Sequence, residues 1–341
     1  MTLQLGAHVG QQNFEMDDMR ALWRWLDGSG FDWISAWDHL YEAPPSADPR
    51  PGTVPHFEAV ATLAALAVET TNARLGCLVF CVGYRNPGLL AKAAITIDHL
   101  AGGRFELGIG AGWHQWEAEA YGYDFPPVGT RLDMLDEAAQ LIGPLIRSGR
   151  FPGGGEEGDG AAAVVGGDPV RITFEGEHFR LAEASCLPPP PRGGMPLWIG
   201  GVGERRTLPM AARHADGWNA AYISAAEFGR LDQVLTDRCQ EIDRDPADVE
   251  RSVNLVFAMG ADEARARRAE DDLAEQWGPM VERIRGGALT GTPAQAVEQV
   301  LAYAEAGAGM VNIALRSPFD QEALEAYQEA VMPEVRAATG G

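Results

Sequence analysis

The chain has 341 residues, of which 46% are hydrophobic, and a formal net charge of −22. That charge argues against nucleic acid or an anionic membrane surface as a partner, and no apolar run approaches the ~18 residues of a membrane span. Lys92 is the only lysine, which argues against Schiff-base chemistry, and Cys77, Cys81, Cys186 and Cys239 form no CxxC pair, so neither a disulfide framework nor a zinc site is expected.

Leu3 to Val9 reads as a strand with no basic leader before it, so a cytoplasmic protein with small-molecule ligands is expected. Met16 to Asp27 is an amphipathic helix that Gly28 and Gly30 close. Phe31 to Ala36 is a second strand, ending in Trp37-Asp38-His39, and a proline-rich loop runs from Glu42 to Pro55. Phe57 to Val68 is an alanine-rich helix, and Arg74 to Phe80 a third strand. Asn86-Pro87 opens a helix to about Leu100, and Arg104 to Ile109 is a fourth strand running into Gly110-Ala111-Gly112-Trp113-His114. A helix follows from about Arg131 to Ile146.

The rhythm then breaks. Residues 151–196 read as an insertion into a single domain spanning 1–341, because the segment is too short and polar for its own core. Within it Gly153 to Asp168 reads as a mobile loop, Val170 to Leu181 as a hairpin around Glu175-Gly176-Glu177, and Pro188 to Pro191 as a stiff connector. Alternation returns with a strand at Leu197 to Ile199 and a helix from Glu204 to His214. Gly217 to Ala221 and Ser252 to Met259 are strands around a helix at Ala225 to Asp243. Ala264 to Arg285 is a charged helix, and Thr292-Pro293 opens another to Ala306. Met310 to Leu315 is the eighth strand and Gln321 to Val335 a final helix. Eight strands alternating with helices predict a (β/α)₈ TIM barrel with an insertion before strand five. A doubly wound open sheet is the alternative, but the first turn, Gly10-Gln11-Gln12-Asn13, carries no GxGxxG.

A barrel builds its active site from the C-terminal ends of its strands. Here those ends are rich in Trp, His and Gly, which suits a flat heteroaromatic ring held close to backbone. They carry no carboxylate pair for glycoside hydrolysis and no GxSxG nucleophile. A cofactor is therefore expected to carry the chemistry. After strand five, Gly200, Gly201 and Gly203 leave the backbone of Gly200-Gly201-Val202-Gly203 open to an anion, and the following helix start adds free N–H groups with Arg205 and Arg206 beside it. The turn reads either as a phosphate site or as a tight connection that only uses glycine's freedom. His39 reads as the catalytic or ring-contacting group, or else as an anchor, with Asp38, for the loop after it. Trp113-His114 either covers a ring or caps strand four, and His8 lines the barrel floor or is a satisfied core histidine. His214 and Asp216 read as structural, and His56, His99 and His178 as surface or helix residues.

By Ser35-Ala36-Trp37-Asp38-His39, the run from Gly102 to Trp113 and Ile199-Gly200-Gly201, the chain resembles the luciferase-like monooxygenase superfamily, in its branch of deazaflavin (coenzyme F420) dependent oxidoreductases. The resemblance lies also in Leu75-Gly76-Cys77 with Tyr84-Arg85-Asn86-Pro87. It continues in Phe174-Glu175-Gly176-Glu177-His178-Phe179 and in Ile199-Gly200-Gly201 with Ala212 to Asn219. It implies a flavin-like ring over the strand ends, contacted by Asp38, His39, Gly110, Ala111, Gly112 and Trp113. It also implies a phosphate at Gly200, Gly201, Val202, Gly203 and Arg205, and a cis peptide joining Cys77 to Leu78 behind the ring. Relatives that oxidise a sugar phosphate carry a glutamate where Trp113 stands, so such a substrate is not expected. The function so implied is hydride transfer between F420 and a small organic substrate by a homodimer, with no metal. An FMN-dependent two-component monooxygenase and a silent flavin-binding barrel are the alternatives.

Overall fold

The computed structural model describes residues 2–42, 52–147, 171–278 and 281–340. The Gly153–Asp168 segment, and with it most of the first half of the expected insertion, lies outside them, as does most of the Glu42–Pro55 loop. The first half of the chain contains β1 (Gln4–Val9), α1 (Met16–Gly28), β2 (Trp33–Ala36), α2 (Ala59–Glu69), β3 (Arg74–Cys81), α3 (Pro87–Leu100), β4 (Phe105–Gly110), α4 (Gln115–Ala120) and α5 (Val128–Arg147). Then come the hairpin strands β5 (Ile172–Glu175) and β6 (Arg180–Ala184), β7 (Leu197–Gly200), α6 (Thr207–His214), β8 (Gly217–Ala221), α7 (Ala225–Gln240) and β9 (Glu250–Met259). The chain closes with α8 (Glu263–Trp277), α9 (Val281–Arg285), β10 (Ala288–Gly291), α10 (Pro293–Glu305), β11 (Met310–Leu315), α11 (Gln321–Ala326) and α12 (Met332–Thr339).

Eight parallel strands close a barrel in the order β1-β2-β3-β4-β7-β8-β9-β11, with β11 returning to β1. The helices cover its outer face, and their ends are written in the sequence. Asn86 accepts from the N–H groups of Gly88 and Leu89 ahead of Pro87, and Gln295 accepts from the Thr292 N–H at the start of α10. The hairpin β5–β6 is antiparallel and is pinned to α5, where Glu137 accepts from the backbone N–H groups of Glu177, His178 and Phe179. At the N-terminal end of the barrel Arg74 grips Glu106 through two nitrogens at 2.6 and 2.9 Å, and Trp198 Nε1 donates to the same carboxylate at 2.6 Å. This end is a plug of paired charge and indole, so the barrel opens at the other. Among the described residues no helix is long and apolar enough to cross a membrane, and no cluster of three His, Cys, Asp or Glu is placed to hold a metal.

Several expectations need correction. The helix expected from Glu204 starts at Thr207. Pro209 then sits in its first turn, where no N–H is needed; a start at Glu204 would put that proline against the carbonyl of Arg205. The helix expected over Ala264–Arg285 divides at Gly278, with φ +46°, and the sequence places Pro279 next. The final helix contains a π turn over Tyr327–Val331, just ahead of Pro333, which cannot donate to the Glu329 carbonyl. Strand β10 and the six-residue α4 were not expected; each is too short to show a period, and β10 extends the sheet along the far half of β9. The cis peptide joins Leu78 to Val79, one residue beyond the expected Cys77–Leu78 bond, where the register of β3 against β4 shifts.

Candidate active site

The end of β2 delivers His39 to the open mouth of the barrel. Its Nδ1 lies 2.8 Å from Glu117 Oε1, with side-chain exposures of 13% and 2% for the two residues. Glu117 stands on α4 and accepts three further hydrogen bonds, from Tyr84 Oη at 2.8 Å, the Leu40 N–H at 2.8 Å and the Tyr41 N–H at 3.4 Å. Burial alone would raise its pKa. The hydrogen bond and charge of His39, with the Leu40 and Tyr84 donors, outweigh burial and hold the carboxyl below its ordinary value. An ionised carboxylate only accepts, so the Nδ1 proton is fixed and the other ring nitrogen of a neutral His39 is an acceptor. Among the described residues no hydrogen bond to that Nε2 is made. The rings of Trp37, Trp113 and His114 surround His39 at 6.3, 5.3 and 5.8 Å. Trp113 is 58% exposed and tilts over His114, whose buried Nε2 makes no hydrogen bond of good geometry among the described residues.

Asp38 faces elsewhere. Its carboxylate is fully buried and takes Arg85 at 2.6 and 2.8 Å together with the Cys81 N–H at 2.9 Å. Arg85 reaches on to Glu58 at 2.7 Å. Adjacent residues thus divide the work, Asp38 locking β2 to the end of β3 and His39 pointing into the mouth. His8 is buried and bonds Ser35 Oγ at 2.8 Å, as a satisfied core histidine would; burial, then the charges of Arg316 and His39, bring its pKa down to about 3. His56 is not a plain surface residue. It accepts from Trp37 Nε1 at 3.1 Å and is half-buried, which lowers its pKa to about 4.

The glycines expected at the ring explain how β3, β4 and β7 meet. A Cβ on Gly110 would lie 2.5 Å from Val79 Cγ2, and one on Gly200 would lie 2.8 Å from Val79 Cγ1. The two bare positions give the Val79 side chain its room inside the barrel. Cys77 is wholly buried in the barrel wall and Leu78 nearly so, among Trp33, Trp198 and Met310. Ala111 is partly buried against the core. Gly112, at φ +73°, accepts a hydrogen bond on its carbonyl oxygen from Arg131 Nη1, and a Cβ there would meet Cys81 Sγ at 2.6 Å. Beyond β7 the Gly201 N–H bonds Asn219 O and the Gly201 carbonyl accepts from Trp218 Nε1. Val202 and Gly203 are exposed, and their N–H groups make no hydrogen bond among the described residues. Arg205 is exposed on the same turn, whereas Arg206 is paired with Asp133 at 2.6 Å. His214 and Asp216 are at the opposite end of the barrel, tied to Asp136 and to Arg147.

Glu117 is the main residue that the sequence reading passed over. The available signal was an acid three residues after His114, which caps α4 by accepting from the Glu117 N–H.

A family model described as luciferase-like monooxygenase matches residues 1–309. The chain is 26% identical, over 98% of each sequence, to the F420-dependent glucose-6-phosphate dehydrogenase of Beutenbergia cavernae. Among solved structures, an F420-dependent secondary alcohol dehydrogenase in complex with an F420–acetone adduct superposes with a TM-score of 0.80 at 19% identity, over 98% of this chain and 99% of that one. The long-chain alkane monooxygenase LadA does so with a TM-score of 0.77 at 14% identity, over 99% and 92%. These last two likenesses concern the fold. The barrel, its strand-end site and the family match together identify this chain as a member of the luciferase-like monooxygenase family.

Proposed function

We propose that this protein is an F420-dependent oxidoreductase acting on a small organic substrate, with His39 as the proton-exchanging residue. The observation that carries the reading is the His39–Glu117–Tyr84 arrangement at the mouth of the barrel, on the same strand-end face as a glycine turn whose Val202 and Gly203 N–H groups make no hydrogen bond among the described residues. The F420-dependent relative aligned over the whole chain supports the choice of cofactor. The residues present suit that group. Val202 and Gly203 offer N–H donors and Arg205 a charge to a phosphate, while Gly110 and Gly200, bare towards Val79, hold the ends of β4 and β7 against which a flat ring would lie. We assign the cofactor contacts to these residues with Ala111, Gly112, Trp113 and Gly201, and give Asp38, Cys77 and Leu78 a supporting role behind them.

When bound, the deazaflavin supplies a ring carbon that takes or gives a hydride. The protein's part is positioning and proton transfer. In the oxidising direction His39 Nε2 accepts the proton of a substrate hydroxyl as the hydride leaves its carbon; in reverse it returns that proton to a carbonyl oxygen. Glu117 holds the imidazole in the tautomer this requires and balances the charge it gains. Trp113 shields the mouth from water on one side. Lys92, the sole lysine, is on α3 bonded to the Leu187 carbonyl, and Trp113 is the residue after the β4 glycines. Both features favour a substrate other than a sugar phosphate.

We also read the chain as one barrel domain interrupted by 151–196, and as a homodimer, because Val68, Leu89 and Leu100 leave apolar side chains exposed on α2 and α3. Sedimentation of the purified protein checks the second point. The decisive experiment for function is fluorescence titration of the protein with F420 and with FMN, each oxidised and reduced. Preferential binding of F420 is expected. Preferential binding of reduced FMN would move the protein to oxygen-dependent monooxygenation.

A further inference from the structure

The turn after β1, Gly10-Gln11-Gln12, closes on Trp37, two residues before His39. The β1–β2 ladder ends at the pair His8 and Ser35. Beyond it the Gln11 carboxamide stands in for a peptide group. Its Nε2 donates to the Trp37 carbonyl at 2.7 Å, and its Oε1 accepts from the Trp37 N–H at 3.3 Å. Turning the amide over would set donor against donor and acceptor against acceptor, so both atoms are fixed. Gln11 is 1% exposed, and a buried amide satisfied in this way admits one arrangement of its partners. Gly10 makes room for the indole, since a Cβ there would lie 2.0 Å from Trp37 Cη2. Gln12 bridges to His56, whose Nε2 accepts from Trp37 Nε1 at 3.1 Å. Burial, then the charge of His39, keeps His56 neutral above about pH 4, so it remains an acceptor. The indole held in this way meets the His8 and His39 rings edgewise at 5.3 and 6.3 Å, with the Arg316 guanidinium over its face at 5.2 Å.

We propose that Gln11 is a positioning residue for the proton transfer assigned to His39, and that it acts through Trp37. The inference rests on that assignment. Three clamps hold consecutive residues: Gln11 the main chain of Trp37, Arg85 and the Cys81 N–H the carboxylate of Asp38, and Glu117 the ring of His39 with the Leu40 N–H. The bond from Nδ1 to Glu117 decides which nitrogen carries the proton, but one hydrogen bond leaves the imidazole free to swing about it. A wall is needed to aim Nε2. Trp113 is 58% exposed and can yield, whereas Trp37 is 4% exposed and tied to the barrel wall through Gln11. Aim matters because a misplacement of about 1 Å at a reacting atom can cost most of a catalytic group's effect.

The test is nuclear magnetic resonance of the intact protein with labelled histidine, tryptophan and glutamine side chains, unaltered and as Gln11→Met. That change keeps the shape and removes both hydrogen bonds. In the unaltered protein the Gln11 carboxamide protons are expected to exchange with solvent far more slowly than those of exposed glutamines, and the Trp37 and His39 ring protons to show cross-relaxation. In Gln11→Met that cross-relaxation is expected to fall by more than half, because the signal varies as the inverse sixth power of distance and a retreat of about 1 Å from 6.3 Å is enough. The His39 proton is expected to stay on Nδ1, since Glu117 is untouched; a merely structural loss would not separate the two signals. Gln11→Glu keeps the acceptor for the Trp37 N–H and is expected to show a smaller fall in the same direction. Titration of each protein with F420 reports whether the cofactor site persists, so failure of the cofactor reading and failure of this proposal give different results. Fast exchange of the Gln11 carboxamide or missing cross-relaxation in the unaltered protein overturns the proposal without any variant having to fold, and so does unchanged cross-relaxation in either variant.

Discussion

Replacing Glu117 by glutamine tests the centre of the site. Four donors converge on that carboxylate, from His39, Tyr84, Leu40 and Tyr41. A carboxamide has one acceptor oxygen and must turn its NH₂ towards two of them. If the oxygen stays with the backbone donors, the NH₂ faces His39 and forces its proton from Nδ1 to Nε2, the nitrogen that has to accept the substrate proton. If the oxygen stays with His39, the Leu40 N–H is left against a donor. Either way one or two hydrogen bonds to a buried charge are lost, each worth about 1.5–3 kcal/mol. The expected loss of folding stability is about 2–4 kcal/mol, read by urea denaturation. Loss of the proton-exchanging geometry is expected to lower kcat by about 10²-fold, within the range of general acid–base catalysis. F420 affinity should change far less, because Glu117 does not reach the glycine turn. Nitrogen-15 chemical shifts of labelled histidine read the tautomer directly and need no substrate. An unaltered protein whose His39 carries its proton on Nε2, or a Glu117→Gln enzyme with unchanged kcat, would refute the reasoning.

Gly110→Ala places a methyl group 2.5 Å from Val79 Cγ2, so overpacking of about 1–3 kcal/mol is expected. In a Val79→Ala background most of that cost should vanish, a coupling that a double-mutant denaturation cycle measures; additive effects would count against the contact. Glu106→Gln loosens the Arg74–Glu106–Trp198 plug at the closed end and should lower stability by about 3 kcal/mol while leaving F420 titration unchanged. Acid should destabilise the fold well before its carboxylates titrate. His8 and His56 have folded pKa values of about 3 and about 4, below their unfolded value of about 6.5. Between these limits the unfolded chain binds protons that the folded one refuses, so stability is complete above pH ~6.5 and falls as pH drops, by about 1.4 kcal/mol per pH unit for each histidine. Replacing His8 with Gln should flatten the pH dependence of the denaturation midpoint between pH 6 and 4; an unchanged slope would mean that His8 protonates in the folded state.

Much of the barrel is legible because its signals are local. Asn86-Pro87 and Thr292-Pro293 start helices by satisfying the first N–H groups from within a few residues, and the apolar runs at Leu197–Ile199 and Met310–Leu315 are buried strands in any context. The glycine turn and His39 are visible for the same reason, since a bare backbone position or a histidine after a strand has meaning in its own neighbourhood. Where the reading slipped, a second local rule was overlooked. Pro209 delays α6 and Gly278 divides the charged helix.

The partners of the site residues are a different matter. Glu117 lies 78 residues from His39, and Arg85 lies 47 from Asp38; no periodicity links them. Arg316 meets Trp37, Tyr222 and Trp277 only because the barrel closes, bringing β11 beside β1 while β8 and α8 lean over the same rim. Local propensity and hydrophobic period act over a few residues and so are written in the chain as read. Hydrogen bonds, charge pairs and ring contacts act over a few ångströms, and which residues come that close is decided only when the last strand pairs with the first.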